Sequence, residues 1–115
     1  MKQRVQWWLV WGLALCLAVV VQTAFAKKKC ETNYDNFGKA FMEQWCSACH
    51  TSAKKGPLAR QGAPKGYDFD QVEVIKKDKG EILEWVIDKS KMPPGLTKPT
   101  DEEKAKLKTW LDCEY

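Results

Sequence analysis

Apolar residues return at helical spacing in several stretches of this chain, and two other stretches break every regular pattern. From Tyr34 to His50, the positions Phe37, Ala40, Phe41, Trp45 and Ala48 recur every three to four residues, which predicts a helix of about four turns. Residues 70–76 have room for a short helix of their own. Over Glu81 to Lys89, Ile82, Leu83, Val86 and Ile87 form an amphipathic stripe with Trp85 beside it. Thr100-Asp101-Glu102-Glu103 reads as a capping box, Thr100 at the N-cap and Glu103 three residues on. It opens a helix whose apolar face is Leu107, Trp110 and Leu111. Between these elements, residues 54–68 carry Gly56, Pro57, Gly62, Pro64 and Gly66 and are irregular. Met92-Pro93-Pro94-Gly95 ends the preceding helix, because proline lacks the amide donor and fixes its own φ. No repeat and no strand pattern is visible. The expected domain is all-α, with long ordered loops that need something to pack on.

One apolar run stands apart. Trp7 to Val21 is uncharged, preceded by Lys2 and Arg4 and followed by Ala24-Phe25-Ala26, small residues at the spacing a signal peptidase reads. Residues 1–26 are therefore expected to be a secretory signal peptide, leaving a domain at 27–115. The uncharged stretch from Gln6 to Ala26 also approaches the ~20 residues a bilayer needs, so an uncleaved anchor facing the periplasm is the alternative. Leu15 is too large for lipoprotein processing at Cys16. Removing Lys2 and Arg4 from 19 basic and 15 acidic residues leaves a net charge of +2, too little to indicate nucleic acid. Lys27-Lys28-Lys29 reads as a solvated tail. An exported domain this small usually gains a covalent or metal staple.

The chemistry concentrates in Glu43 to Ser52, EQWCSACHTS, where Cys46 and Cys49 precede His50, the one histidine of the chain. A thioredoxin-type pair wants its cysteines at a helix start behind a strand, and no strand precedes them. A structural zinc site wants four ligands, usually two separated pairs, and no second pair exists. A plain disulfide leaves His50 unexplained. C-x-x-C-H is the spacing of covalent haem attachment: each thiol adds to a vinyl group of one rigid macrocycle, and the next residue reaches the iron. One haem c on Cys46 and Cys49, with His50 as an iron ligand, is the expectation.

The second axial position has few candidates. No other histidine is present. Met42 lies on the helix of Cys46 and cannot reach the far haem face. Met92, at a helix end and stiffened by Pro93-Pro94, suits a fixed thioether ligand. His/Met ligation raises the reduction potential and fills both axial sites, which suits electron transfer rather than small-molecule chemistry.

With Cys46 to His50, the proline-rich loop, Met92-Pro93-Pro94 and the final helix in this order, the chain resembles a class I c-type cytochrome of the small bacterial periplasmic kind. The resemblance implies the cytochrome c fold, about three to five helices around one haem, with the terminal helices crossing. It places Gly38 at that crossing, opposite Leu107, Trp110 and Leu111. It implies that a loop proline carbonyl, of Pro57 or Pro64, accepts from the second nitrogen of His50. Arg60, Tyr67 and Trp85 become candidates to bond the haem propionates, Arg60 foremost. Cys30 and Cys113 each lie just outside a terminal helix, so a disulfide between them is expected in an oxidising compartment.

The resemblance implies a monomeric, periplasmic one-electron carrier, not an enzyme, with transient redox partner proteins. Lys54, Lys55, Lys65, Lys89 and Lys91 are candidates to steer an acidic partner, against the plainer reading of a solvated lysine face. A haem sensor, or an electron-transfer subunit of a larger membrane-anchored enzyme, is the competing expectation.

Overall fold

The structure is a computed structural model that describes residues 29–115; the expected signal peptide or anchor at 1–26 lies outside the described residues. The chain enters its first helix through a reciprocal cap. Asn36 N–H donates to Asn33 Oδ1 over 3.1 Å, and Asn33 N–H to Asn36 Oδ1 over 2.8 Å. A π-helical turn, Tyr34–Gly38, continues directly into α1, Lys39–Trp45. The second helix, α2, spans Val72–Leu83 and runs on through another π-helical turn, Glu84–Asp88. The third, α3, spans Asp101–Glu114. Its opening is the expected capping box: Glu103 N–H donates to Thr100 Oγ1 (3.2 Å) and Thr100 N–H to Glu103 Oε2 (2.8 Å). No strand occurs among the described residues, in keeping with the all-α domain expected from the sequence.

Two boundaries differ from the sequence reading. The segments expected at 70–76 and 81–89 are one continuous helical rod. Ile75, Asp78, Ile82 and Val86 are all buried and share one inward face at steps of three, four and four. Asp78 is the polar member of that stripe and hides its continuity in the sequence. Gly80 does not break the rod, because interior glycine costs only about 1 kcal/mol against alanine. The first helix is shorter than expected and stops at Trp45, before the cysteine pair.

The core joins Phe41 and Met42 of α1, the buried face of α2, and Leu107, Trp110 and Leu111 of α3, which are 0% exposed. Burying each such side chain contributes about 1.5–3 kcal/mol. Gly38 is buried at the crossing, against the Trp110 ring. A disulfide between Cys30 and Cys113, with Cα atoms 5.9 Å apart, closes the same end. There Glu114 Oε2 accepts from Tyr34 N–H (2.8 Å) and from the indole N–H of Trp110, so one carboxylate ties both terminal helices. Among the described residues no helix is long and apolar enough to cross a membrane.

Candidate functional site

Three donors end α1 on one acceptor. The amides of Cys46 and Ser47 (both 2.9 Å) and the Ser47 hydroxyl (3.1 Å) all reach the Met42 carbonyl. The chain then folds back on Cys46, whose carbonyl accepts from the amides of Cys49 (3.1 Å) and His50 (2.9 Å). This turn brings Cys46, Cys49 and His50 to the wall of one cavity of about 500 Å³, within the ~300–1,000 Å³ usual for cofactor sites. Phe41 and Trp45 of α1 continue that wall, and Ile82, Trp85 and Val86 come from α2 and the turn after it.

Met92 reaches the same cavity through the loop that follows. Ser90 takes a left-handed φ of 49°, its hydroxyl bonded to the Ile87 carbonyl, and the chain turns back. The amides of Lys91 (3.0 Å) and Met92 (3.1 Å) then both donate to the Trp85 carbonyl. The Met92 main chain is thus fixed to the last turn of the α2 rod, while Lys98 Nζ donates to the Pro93 carbonyl and holds the loop beyond it. Met42 lies in the core, 1% exposed, and does not face the cavity.

His50 is held on three sides. Its Nδ1 lies 3.0 Å from the Tyr67 carbonyl. A carbonyl can only accept, so Nδ1 carries the proton and Nε2 the lone pair. The Phe69 ring stacks on the imidazole with centroids 4.8 Å apart, and the Phe69 amide donates to the His50 carbonyl (2.9 Å). Burial lowers the His50 pKa below its ordinary value; the Tyr67 carbonyl opposes this, Arg60 adds to it and Asp68 opposes it. The ring is therefore neutral at pH 7, the state in which it can ligate. Burial pushes the Cys46 thiol up to about 12, and neither Cys46 nor Cys49 is in a disulfide.

The proline expectation is corrected here. Neither Pro57 nor Pro64 supplies the acceptor for His50. The Pro57 carbonyl accepts from the Gly62 amide (2.9 Å), and the Pro64 carbonyl from Arg60 Nη2 (2.8 Å). Pro64 still lines the cavity, whereas Pro57 does not. Arg60 is also corrected: it is 3% exposed and turned into its own loop, away from the cavity lining. The reason is the loop itself, which has no regular structure to satisfy its carbonyls. A guanidinium with five donors satisfies several at once. Tyr67 and Trp85 do line the cavity. The Tyr67 hydroxyl is held above its ordinary pKa by its hydrogen bond to Glu81, another wall residue. Trp85 is 37% exposed, with Lys89 Nζ 4.2 Å from its ring centroid.

Phe69 and the Tyr67 main chain are the site features that sequence reasoning missed. Phe69 lies between the irregular stretch at 54–68 and the short helix expected at 70–76, and only its spacing of two from Tyr67 marks a shared inward side.

Two thiols, one imidazole lone pair and one thioether around an apolar cavity fit a covalently held haem, with nitrogen and sulfur donors for iron. Neither the curated proteins nor the solved structures contain a match to the chain. The family model described as Cytochrome c matches residues 37–112, from within the turn before α1 into the last turn of α3, and spans every residue of the cavity lining. The chain belongs to the cytochrome c family, whose members bind haem covalently and transfer electrons with it.

Proposed function

We propose that the chain carries one haem c, bound as thioethers to Cys46 and Cys49, with His50 and Met92 as the axial ligands. It serves as an exported one-electron carrier rather than an enzyme, with domain 27–115 freed from a signal peptide at 1–26. The observation that carries this reading is that Met92 lines the cavity of Cys46, Cys49 and His50, whereas Met42 is sealed in the core. When bound, the haem iron supplies a reversible one-electron couple. The residues around it do the rest. The neutral imidazole of His50 presents Nε2 as a donor, fixed by Tyr67 and Phe69. Met92, tied to Trp85, offers a thioether, which raises the potential relative to a second nitrogen. Phe41, Ile82 and Val86 exclude water. The exposed rim at Trp85 suits brief partner docking, with small interfaces and salt-dependent on-rates.

The Met92→Ala variant tests the ligand set. It is expected to lose the red-region sulfur-to-iron absorption band, lower the potential and bind carbon monoxide rapidly when reduced. An unchanged band and potential would remove Met92 from the iron. Intact mass of the exported protein tests the rest, with one haem added and residues 1–26 absent.

A further inference from the structure

Arg60 is buried in the loop that wraps the cavity, and its contacts converge on His50. Nε donates to the Ala63 carbonyl (3.1 Å), and Nη1 to the carbonyls of Thr51 (2.8 Å) and Lys54 (3.4 Å). Nη2 donates to the carbonyls of Pro64 (2.8 Å) and Tyr67 (3.3 Å). Asp68 Oδ1, 2.7 Å from Nη1, is its counter-charge, with 20% of that side chain exposed. Two of these acceptors bear on the ligand. Thr51 is the residue after His50, and the Tyr67 carbonyl is the group that accepts from His50 Nδ1. One carbonyl oxygen therefore serves two donors, the imidazole N–H and a guanidinium N–H.

We propose that Arg60 and Asp68 form a positioning pair that sets the donor strength of His50 through the shared Tyr67 carbonyl, and so tunes the reduction potential. This builds on the haem reading above. A hydrogen bond from a ligating imidazole to an acceptor raises the basicity of the ligand. The oxygen has limited electron density to share. As the guanidinium draws on it, the imidazole N–H bond weakens, His50 donates less to iron, and the oxidised state loses stabilisation. The guanidinium charge acts in the same direction, because it repels the extra positive charge of oxidised iron. Asp68 counters both effects by drawing the guanidinium to itself and neutralising it. The two residues push the potential in opposite directions: Arg60 raises it and Asp68 lowers it.

The opposed signs separate tuning from simple support of the loop. The haem-loaded Arg60→Gln and Asp68→Asn proteins are titrated against mediators of known potential. Arg60→Gln is expected to favour the oxidised form and Asp68→Asn the reduced form, each changing the redox equilibrium constant severalfold. The His50 ring N–H resonance of the reduced protein should report a stronger bond in Arg60→Gln, and Arg60→Lys should recover part of the potential. If both variants shift the potential the same way, or if only melting temperature changes, the pair is a structural brace and the proposal fails. Should Arg60→Gln not fold, Asp68→Asn decides: an unchanged or lowered potential refutes the proposal. Intact mass and the sulfur-to-iron band are recorded on the same samples. Loss of haem or of that band in the unsubstituted protein would instead refute the reading of the site.

Discussion

Gly38 and Trp110 meet at the crossing of the terminal helices with no room for a methyl group: a Cβ at residue 38 would stand 2.4 Å from Trp110 Cζ2. The obstacle is the body of a fully buried indole, not the end of a flexible chain. Replacing Gly38 by alanine improves helix propensity by up to about 1 kcal/mol, but overpacking of this kind costs about 1–3 kcal/mol. The overpacking term wins, because Trp110 is also fixed by its bond to Glu114. Gly38→Ala is expected to lower the urea midpoint, and Trp110→Leu added to it to make the second loss smaller than in the unsubstituted protein. Equal stability of Gly38→Ala and the parent would contradict the close crossing.

The same end of the molecule is closed by the Cys30–Cys113 bond across a sequence separation of 83. On the chain-entropy model, opening a loop of this size costs about 4.5 kcal/mol. Mild reduction, which leaves haem thioethers intact, should lower the unfolding midpoint and leave the potential nearly unchanged, since the bond lies away from the cavity lining. Denaturation curves with and without reductant measure it.

Glu114 joins the helices by charge-assisted hydrogen bonds rather than by packing. Removing its carboxylate in Glu114→Ala strands the half-buried Tyr34 amide and the indole N–H of the buried Trp110, and a buried group left unpaired costs about 1–3 kcal/mol. Glu114→Gln keeps one acceptor oxygen and should cost less. Equal losses in the two variants, read from urea curves, would count against the shared acceptor.

The thiols of the haem-free chain should differ. The Cys46 pKa is raised to about 12 by burial, and the thiolate is the nucleophile. At neutral pH Cys46 is therefore almost wholly protonated. Alkylation of the haem-free protein, followed by peptide mass mapping, should label Cys49 faster than Cys46. Preferential labelling of Cys46 would contradict the burial.

Tyr115 gives an alkaline limit. Burial, with help from the Glu114 charge, raises its pKa from 10.0 to about 12. The fold therefore favours the neutral phenol. Its stabilisation is complete below pH 10 and is lost as pH rises through about 12. The urea midpoint should fall over that interval, and Tyr115→Phe should flatten the fall.

Cys46, Cys49, His50 and Met92 stood out as candidates in the sequence because their chemistry leaves few uses, and the fold brings all four to one cavity. The capping box at Thr100 and the stripe of Leu107, Trp110 and Leu111 were legible because local rules govern them. Gly38 became meaningful only beside that stripe. The loop partners were not legible. Pro57, Pro64 and Tyr67 offer identical carbonyls, and the path of the chain alone decides which one meets His50 Nδ1.

Arg60 shows the same division. Its identity as a buried cation followed from nothing local, and a propionate was a reasonable partner for a loop arginine. In the folded chain the loop carbonyls of Thr51, Lys54, Ala63, Pro64 and Tyr67 would be costly to leave unpaired, and they and Asp68 hold the guanidinium. Sequence by itself determined the cofactor chemistry, the capped start of α3 and the candidate ligands, because these depend on residue type and short spacing. Tertiary structure decided the single α2 rod, the acceptor for His50, the stacking of Phe69 and the inward turn of Arg60. Each of these is a choice among chemically equivalent groups that are distant in sequence, and only packing and hydrogen-bond satisfaction distinguish them.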